Sequence, residues 1–239
     1  MKMAAVRAVL FDFGGTLYDY ATLAAAEGES LIELARWAGV EAEPQQIVRA
    51  HRDALRRVFH AYLPRRFYLH RDLFRASAAG MLEDLGAPVV AEHLDRYRVR
   101  RWERHARDFT LREGVHDTLI ALRERRVHVG MVSNIDEDQL AHLLAVSDVG
   151  RYFDSILSSE AARSCKPDTA IYEEALRRAR CRPIEALFVG DSLQQDVAGA
   201  KRAGLRSVLL WHHPEREPPD GEPRPHHVIR RIPEVLTLL

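Results

Sequence analysis

The chain has 239 residues, 46% of them apolar and 29% charged, which is enough apolar material for a sizeable core and not the composition of a disordered chain. Its 35 lysines and arginines balance 35 acids, so no global attraction to nucleic acid or to an anionic membrane is expected. Two cysteines, Cys165 and Cys181, cannot make a disulfide framework and fit a reducing compartment.

The first predicted strand is Ala8 to Phe13, a short continuous apolar run of the kind buried on both faces. The opening M-K-M-A-A-V-R-A-V-L-F-D has too short an apolar run for a secretory signal, and no stretch approaches 18 uninterrupted apolar residues. A soluble cytoplasmic protein, with neither membrane nor nucleic acid as a partner, is therefore the expectation. Between Thr22 and Arg107 the apolar spacing is helical, as in L-I-E-L-A-R-W-A and A-A-G-M-L-E-D-L-G. Gly39 with Pro44, Pro64, and Gly86 with Pro88 divide that interval into about four helices. Residues 49 to 107 hold 14 arginines against 7 acids, while lysine occurs only at 2, 166 and 201. Helix faces with arginine stems lying over apolar surface account for that bias more simply than an anion-collecting surface does.

Strand-like runs then return at 127–133, 152–158, 186–190 and 207–211, with helical segments near 115–126, 137–146, 168–180 and 194–204. The alternation predicts a doubly wound parallel α/β sheet with helices on both faces. An all-helical insert over 20–107 interrupts it just after the first strand, leaving 1–19 and 108–239 as the core. Residues 214–225 form a proline-rich loop, and the last thirteen residues return to the core.

Open parallel sheets bind ligands outside the carboxyl ends of their strands. The first strand delivers Asp12 there, the one ending V-G-M-V-S-N delivers Ser133 and Asn134, and the one ending L-F-V-G-D-S delivers Asp191, with Asp196 five residues on. Lys166 lies before a helix, in S-C-K-P-D. Taken singly, each residue has a plain reading as a helix cap or turn residue. Together, carboxylates, a lysine and hydroxyl donors on one edge point to an oxygen-ligated Mg²⁺ and a transferring anionic group.

The segments D-F-G-G-T-L-Y-D, V-S-N, K-P-D and G-D-S-L-Q-Q-D-V-A-G-A-K-R-A-G, in that order, resemble the four motifs of the haloacid dehalogenase-like hydrolase superfamily. The helical insert resembles that family's small alpha-helical cap, which would close over the core and choose the substrate. The resemblance implies a Rossmann-like core and a covalent aspartyl intermediate on Asp12. It implies Mg²⁺ held by Asp12, Asp191 and the main-chain carbonyl of Gly14, with Asp196 in support. Ser133 and Lys166 would bind the transferring group, Asn134 would shape the site, Thr16 would orient the anion, and Gly15 would let the chain turn beside it.

One position departs from the pattern. Most phosphatases of this family carry, two residues after the nucleophile, an aspartate that protonates the leaving group and later activates water. Gly14 can do neither, although its carbonyl can still ligate metal. His51, His60, His70 and Asp72 in the insert, and Tyr18 and Asp19 beside the first motif, are candidates to replace it. The expectation is a Mg²⁺-dependent hydrolase of a small phosphorylated metabolite, slow for want of that acid, acting as a monomer or homodimer. A 2-haloacid dehalogenase and a catalytically quiet binding member are the alternatives.

Overall fold

The computed structural model describes residues 4–213, 215–218 and 220–239. Lys2, Pro214 and Pro219, named above, lie outside the described residues. The chain divides into two compact units: the described residues up to Asp19 with Thr110–Leu239, and Tyr20–Phe109.

In the first unit the apolar runs become strands because their side chains have packing partners on both faces of a sheet. Strand β1 is Ala8–Phe11, all four side chains fully buried. β2 is His128–Ser133, β3 Ser155–Ser158, β4 Ala186–Gly190, β5 Arg206–Leu210 and β6 His227–Ile229. All pair in parallel, in the order β3-β2-β1-β4-β5-β6. The chain winds outward from β1 to β3, then restarts on the other side of β1 with β4. That reversal marks the carboxyl ends of β1 and β4 as the crevice where open parallel sheets bind their ligands. The register places Phe11 opposite Val189, so Asp12 and Asp191 leave neighbouring strands at that crevice.

β1 stops at Phe11, two residues short of the expected end, because the chain bends away to form the turn that carries the site. The sixth strand, β6, was expected only as a return to the core. Its three residues take an edge beside β5, a pairing that periodicity over so short a run cannot reveal.

Four longer helices flank the sheet: Val115–Glu124, Glu137–Ser147, Thr169–Ala179, and the turn Leu193–Ala198 running on into Gly199–Arg202. On one face the Thr169–Ala179 helix buries Ile171, Tyr172 and Leu176 against Leu10 and Phe188. The Tyr172 ring stands edge-on to Phe188 with centroids 4.9 Å apart. On the other face Val115, Leu119 and Leu122 are buried together with Ile232 and Val235 of the last turn. Burial of one such side chain contributes about 1.5–3 kcal/mol.

The second unit holds the four helices of the insert: α1 Ala24–Trp37, α2 Pro44–Tyr62, α3 His70–Asp84 and α4 Ala91–Asp108. Proline opens α2, where its missing N–H costs nothing, and the Gln46 side chain accepts the Glu43 N–H at 3.0 Å to close the end. Leu31, Leu34, Ile47, Ala54, Ala78, Met81, Leu82 and Leu94 form its apolar core. Beside that core lies a polar cluster. Glu27 of α1 accepts hydrogen bonds from Tyr97 at 2.6 Å, Arg101 Nε at 2.6 Å and His105 Nε2 at 3.1 Å, all on α4.

The arginine bias is therefore largely internal bookkeeping of charge. Arg104 pairs with Glu33 at 2.6 Å, Arg107 with Glu29 at 3.4 Å, and the Arg101 and Arg96 guanidinium groups lie 4.2 and 4.1 Å from the ring centres of Phe74 and Trp37. No helix among the described residues is long and apolar enough to cross a membrane.

Candidate active site

β1 ends by delivering Asp12, whose own N–H still bonds Val189 O at 2.8 Å and so keeps it at the sheet edge. The chain then turns through Gly15, in the left-handed region at φ +82°. A Cβ there would stand 2.4 Å from Oδ2 of Asp191, so only glycine lets the turn lie against that carboxylate. The Leu17 N–H closes the turn onto Phe13 O at 2.8 Å, which brings Thr16 inward. Its hydroxyl lies 3.2 Å from Asp12 Oδ2 and 3.4 Å from Asp191 Oδ1.

β2 delivers Ser133, whose hydroxyl donates to Asp12 Oδ1 at 3.2 Å. Asn134 follows but does not touch Asp12. Its amide clamps the backbone of Lys166, accepting the N–H at 2.7 Å and donating to the carbonyl at 2.9 Å. That clamp fixes the loop ahead of the Thr169–Ala179 helix and sends the Lys166 ammonium into the crevice. Its Nζ lies 2.6 Å from Asp12 Oδ1 and 2.7 Å from Asp196 Oδ1.

Asp196 reaches that position because the turn Leu193–Ala198 is wound as a π-helix, started by Ser192, whose hydroxyl accepts the Gln195 N–H at 3.1 Å. The second Asp196 oxygen accepts the Ser192 N–H at 2.9 Å. A side chain at Gly190 would collide with Asp196 at 2.3 Å.

Asp12, Lys166 and Asp196 are buried and Asp191 is partly so. Carboxylate oxygens of Asp12, Asp191 and Asp196 fall within 4.8 Å of one another. Three carboxylates against one ammonium leave two formal negative charges in a poorly solvated place. Burial, then the charges of Asp12 and Asp196, raise the Asp191 carboxyl to about 7. Burial likewise raises Asp196, although the Lys166 ammonium opposes it. Burial disfavours the charged Lys166, but Asp12 and Asp196 together outweigh it and keep the ammonium charged. Oxygen donors only, with a surplus of two negative charges, suit a hard dication such as Mg²⁺.

Of the residues expected at the site, Asp12, Thr16, Ser133, Lys166, Asp191 and Asp196 converge within hydrogen-bonding or carboxylate-cluster distances, and Gly15 lies against Asp191. Asp196, expected in support, pairs directly with Lys166. Among the candidate proton donors, Asp19 is engaged by Arg112 at 3.1 Å, and the buried Tyr18 ring packs edge-on against Phe13. His51 is buried inside the helical unit, 3.3 Å from Ser77 Oγ.

Sequence reasoning missed Gln195, whose side-chain oxygen lies 3.3 Å from Asn134 Nδ2, and Tyr172, whose hydroxyl donates to the Gln195 carbonyl. It also missed Arg112, which holds the carbonyl of Gly15. None of the three lies at a strand end, and Gln195, although inside the quoted segment G-D-S-L-Q-Q-D-V, was given no role.

The haloacid dehalogenase-like hydrolase profile matches residues 6–204, most of the chain. The protein belongs to the haloacid dehalogenase-like hydrolase family. It is 32% identical over 235 residues to phosphoglycolate phosphatase 1 of Pseudomonas aeruginosa, covering 96% of this chain and 78% of that one. It is 29% identical over 239 residues to the glyceraldehyde 3-phosphate phosphatase of Methanopyrus kandleri, covering 98% and 97%. The fold matches the putative hydrolase YfnB of Bacillus subtilis, solved bound to magnesium, with a TM-score of 0.79 at 22% identity over 99% of both chains. This family member is thus an α/β hydrolase with phosphatase relatives.

Proposed function

We propose that the protein is a Mg²⁺-dependent phosphatase of a small phosphomonoester, working through an aspartyl phosphate on Asp12. The observation that carries the reading is the carboxylate cluster with its single ammonium: Lys166 at 2.6 Å from Asp12 Oδ1, and two negative charges left over. Asp12, Asp191 and the Gly14 carbonyl would hold the metal, which when bound supplies positive charge to the transferring group. Asp12 attacks phosphorus, the ester P–O bond breaks, and the leaving alkoxide departs. Lys166 and Ser133 face the same oxygen of Asp12 and are placed to neutralise and bind phosphoryl oxygens. Water then hydrolyses the aspartyl phosphate and restores Asp12. Asn134 acts through the Lys166 backbone.

Gly14 brings no side chain to the leaving oxygen, so the acid that most phosphatases of the family carry at this position is missing. Substrates with good leaving groups, such as aryl or acyl phosphates, are favoured for that reason. The relatives that hydrolyse phosphoglycolate and glyceraldehyde 3-phosphate support a small phosphorylated metabolite as the class. Halide displacement from a 2-haloacid is disfavoured. Displacing halide needs no divalent cation, so it would leave the three clustered carboxylates of Asp12, Asp191 and Asp196 without a task.

The test is phosphate release from an aryl phosphate, phosphoglycolate and glyceraldehyde 3-phosphate, with Mg²⁺ and with a chelator. Mg²⁺-dependent release is expected, with Asp12→Asn lower by roughly a million-fold, into the background. Gly14→Asp is expected to raise turnover by roughly a hundred- to ten-thousand-fold. Chloride release from 2-chloropropionate without metal, or no turnover by wild type on any phosphate ester, would overturn the reading.

A further inference from the structure

Arg112 lies three residues into the core after the helical insert, and its side chain is only 19% exposed. All of its polar reach is spent on one turn. Nη2 and Nε donate to the carbonyl of Gly15 at 2.9 and 3.3 Å. Nη1 lies 3.1 Å from Asp19 Oδ2, four residues further along the same turn. Its own N–H donates to Leu17 O at 2.8 Å, and Tyr18 bridges Leu111 alongside it. One guanidinium thus ties the start and the end of the turn that follows Asp12.

The tied carbonyl belongs to the residue whose Cα lies against the Asp191 carboxylate, since a Cβ there would meet Asp191 Oδ2 at 2.4 Å. The peptide before it carries the Gly14 carbonyl. A planar fork on the Gly15 oxygen restrains the Gly15–Thr16 peptide plane far better than a single flexible donor can, and so anchors the Gly15 Cα to which the Gly14 peptide is joined. The electrostatics agree, because a guanidinium that is already paired with Asp19 adds little net charge to the site while still fixing its geometry.

We propose that Arg112 is a positioning residue for divalent-metal binding. It holds the Gly15 carbonyl and Asp19 so that the Gly14 carbonyl and the Asp191 carboxylate present their oxygens to the cation in one arrangement. The inference rests on the Mg²⁺ reading above. Partners that orient metal ligands are typically worth roughly 10- to 100-fold in affinity.

The experiment is calorimetric titration of chelator-stripped protein with Mg²⁺, without substrate, at a temperature where circular dichroism shows each variant folded. Wild type binds, and Asp191→Asn does not. Arg112→Gln is expected to raise the Mg²⁺ dissociation constant by roughly 10- to 100-fold, with Arg112→Lys recovering part of the loss. Asp19→Asn, which frees one anchor and keeps the fork on Gly15, is expected to cost a few-fold. An unchanged dissociation constant in Arg112→Gln, with Asp191→Asn inactive in binding, overturns the role of Arg112 and leaves the metal reading standing. Failure of wild type to bind, or unaltered binding in Asp191→Asn, instead removes the metal reading and this inference with it. Should Arg112→Gln not fold, unchanged affinity in both Arg112→Lys and Asp19→Asn overturns the proposal.

Discussion

The two units each bury a carboxylate-centred cluster, and the two clusters are balanced in opposite ways. In the helical unit, Glu27 is one acid surrounded by Arg101, His105 and Tyr97. Burial works against its charge, but Arg101 and the two hydrogen bonds prevail, and the carboxyl is held well below the usual range. In the core, Asp12, Asp191 and Asp196 share a single ammonium, and burial with mutual repulsion pushes Asp191 and Asp196 up. A cluster whose charges are met locally is a fastening. One left with surplus charge holds its groups in readiness for something that brings the opposite charge, and folding stability elsewhere must offset the cost.

The contrast can be broken most sharply by removing one acid from each cluster. Glu27→Gln leaves Arg101 buried without its carboxylate and is expected to cost about 3 kcal/mol, read as a lower urea midpoint. No loss would mean that the cluster is ornamental. Asp191→Asn should do the reverse in chelator, raising the midpoint through a gain of about 1 kcal/mol in stability as repulsion is relieved, while Mg²⁺ no longer stabilises the variant. A destabilised Asp191→Asn in chelator would show that the surplus charge is not a strain on the fold.

The smallest effect expected is a divergence with pH. In the helical unit, Glu27 lies below its ordinary value, and burial chiefly lowers His51 and His105 from 6.5. These groups bind fewer protons folded than unfolded, so the histidines' contribution is lost as pH falls below 6.5 and that of Glu27 only below 4.5. Asp191 and Asp196, raised from 3.8 to about 7 and 6, bind more protons folded than unfolded. Without metal, the core therefore gains stability as pH falls through that range and loses it as pH rises. Hydrogen-exchange protection of α1 and α4 should drop between pH 8 and 5 in chelator, while that of β1 and β4 holds or rises. Parallel loss in both units would refute the distinction.

Much of the site was legible because its chemistry sits where local pattern is strong. Asp12, Ser133 and Asp191 each follow directly on an apolar run, and the run marks the strand whose end must deliver them. Asn134 follows β2 directly, but its task was not visible, since nothing local says that its amide would meet the backbone of Lys166 32 residues away. The burial of His51 was hidden for the same reason. A histidine on a polar-looking helix is buried only because α3 brings Ser77 to it.

By itself the sequence determined the alternation of strands and helices, the helical interruption, and the residue types that arrive at the carboxyl edge of the sheet. Those follow from side-chain periodicity and from glycine and proline, which act over a few residues. Only the tertiary structure decided that Asp196 pairs with Lys166 through a π-helical turn, that Arg112 grips the Gly15 carbonyl, and that many of the insert's arginines are spent on its own acids and rings. These are contacts between segments far apart in the chain. Their energies depend on distance and burial, which no local pattern encodes.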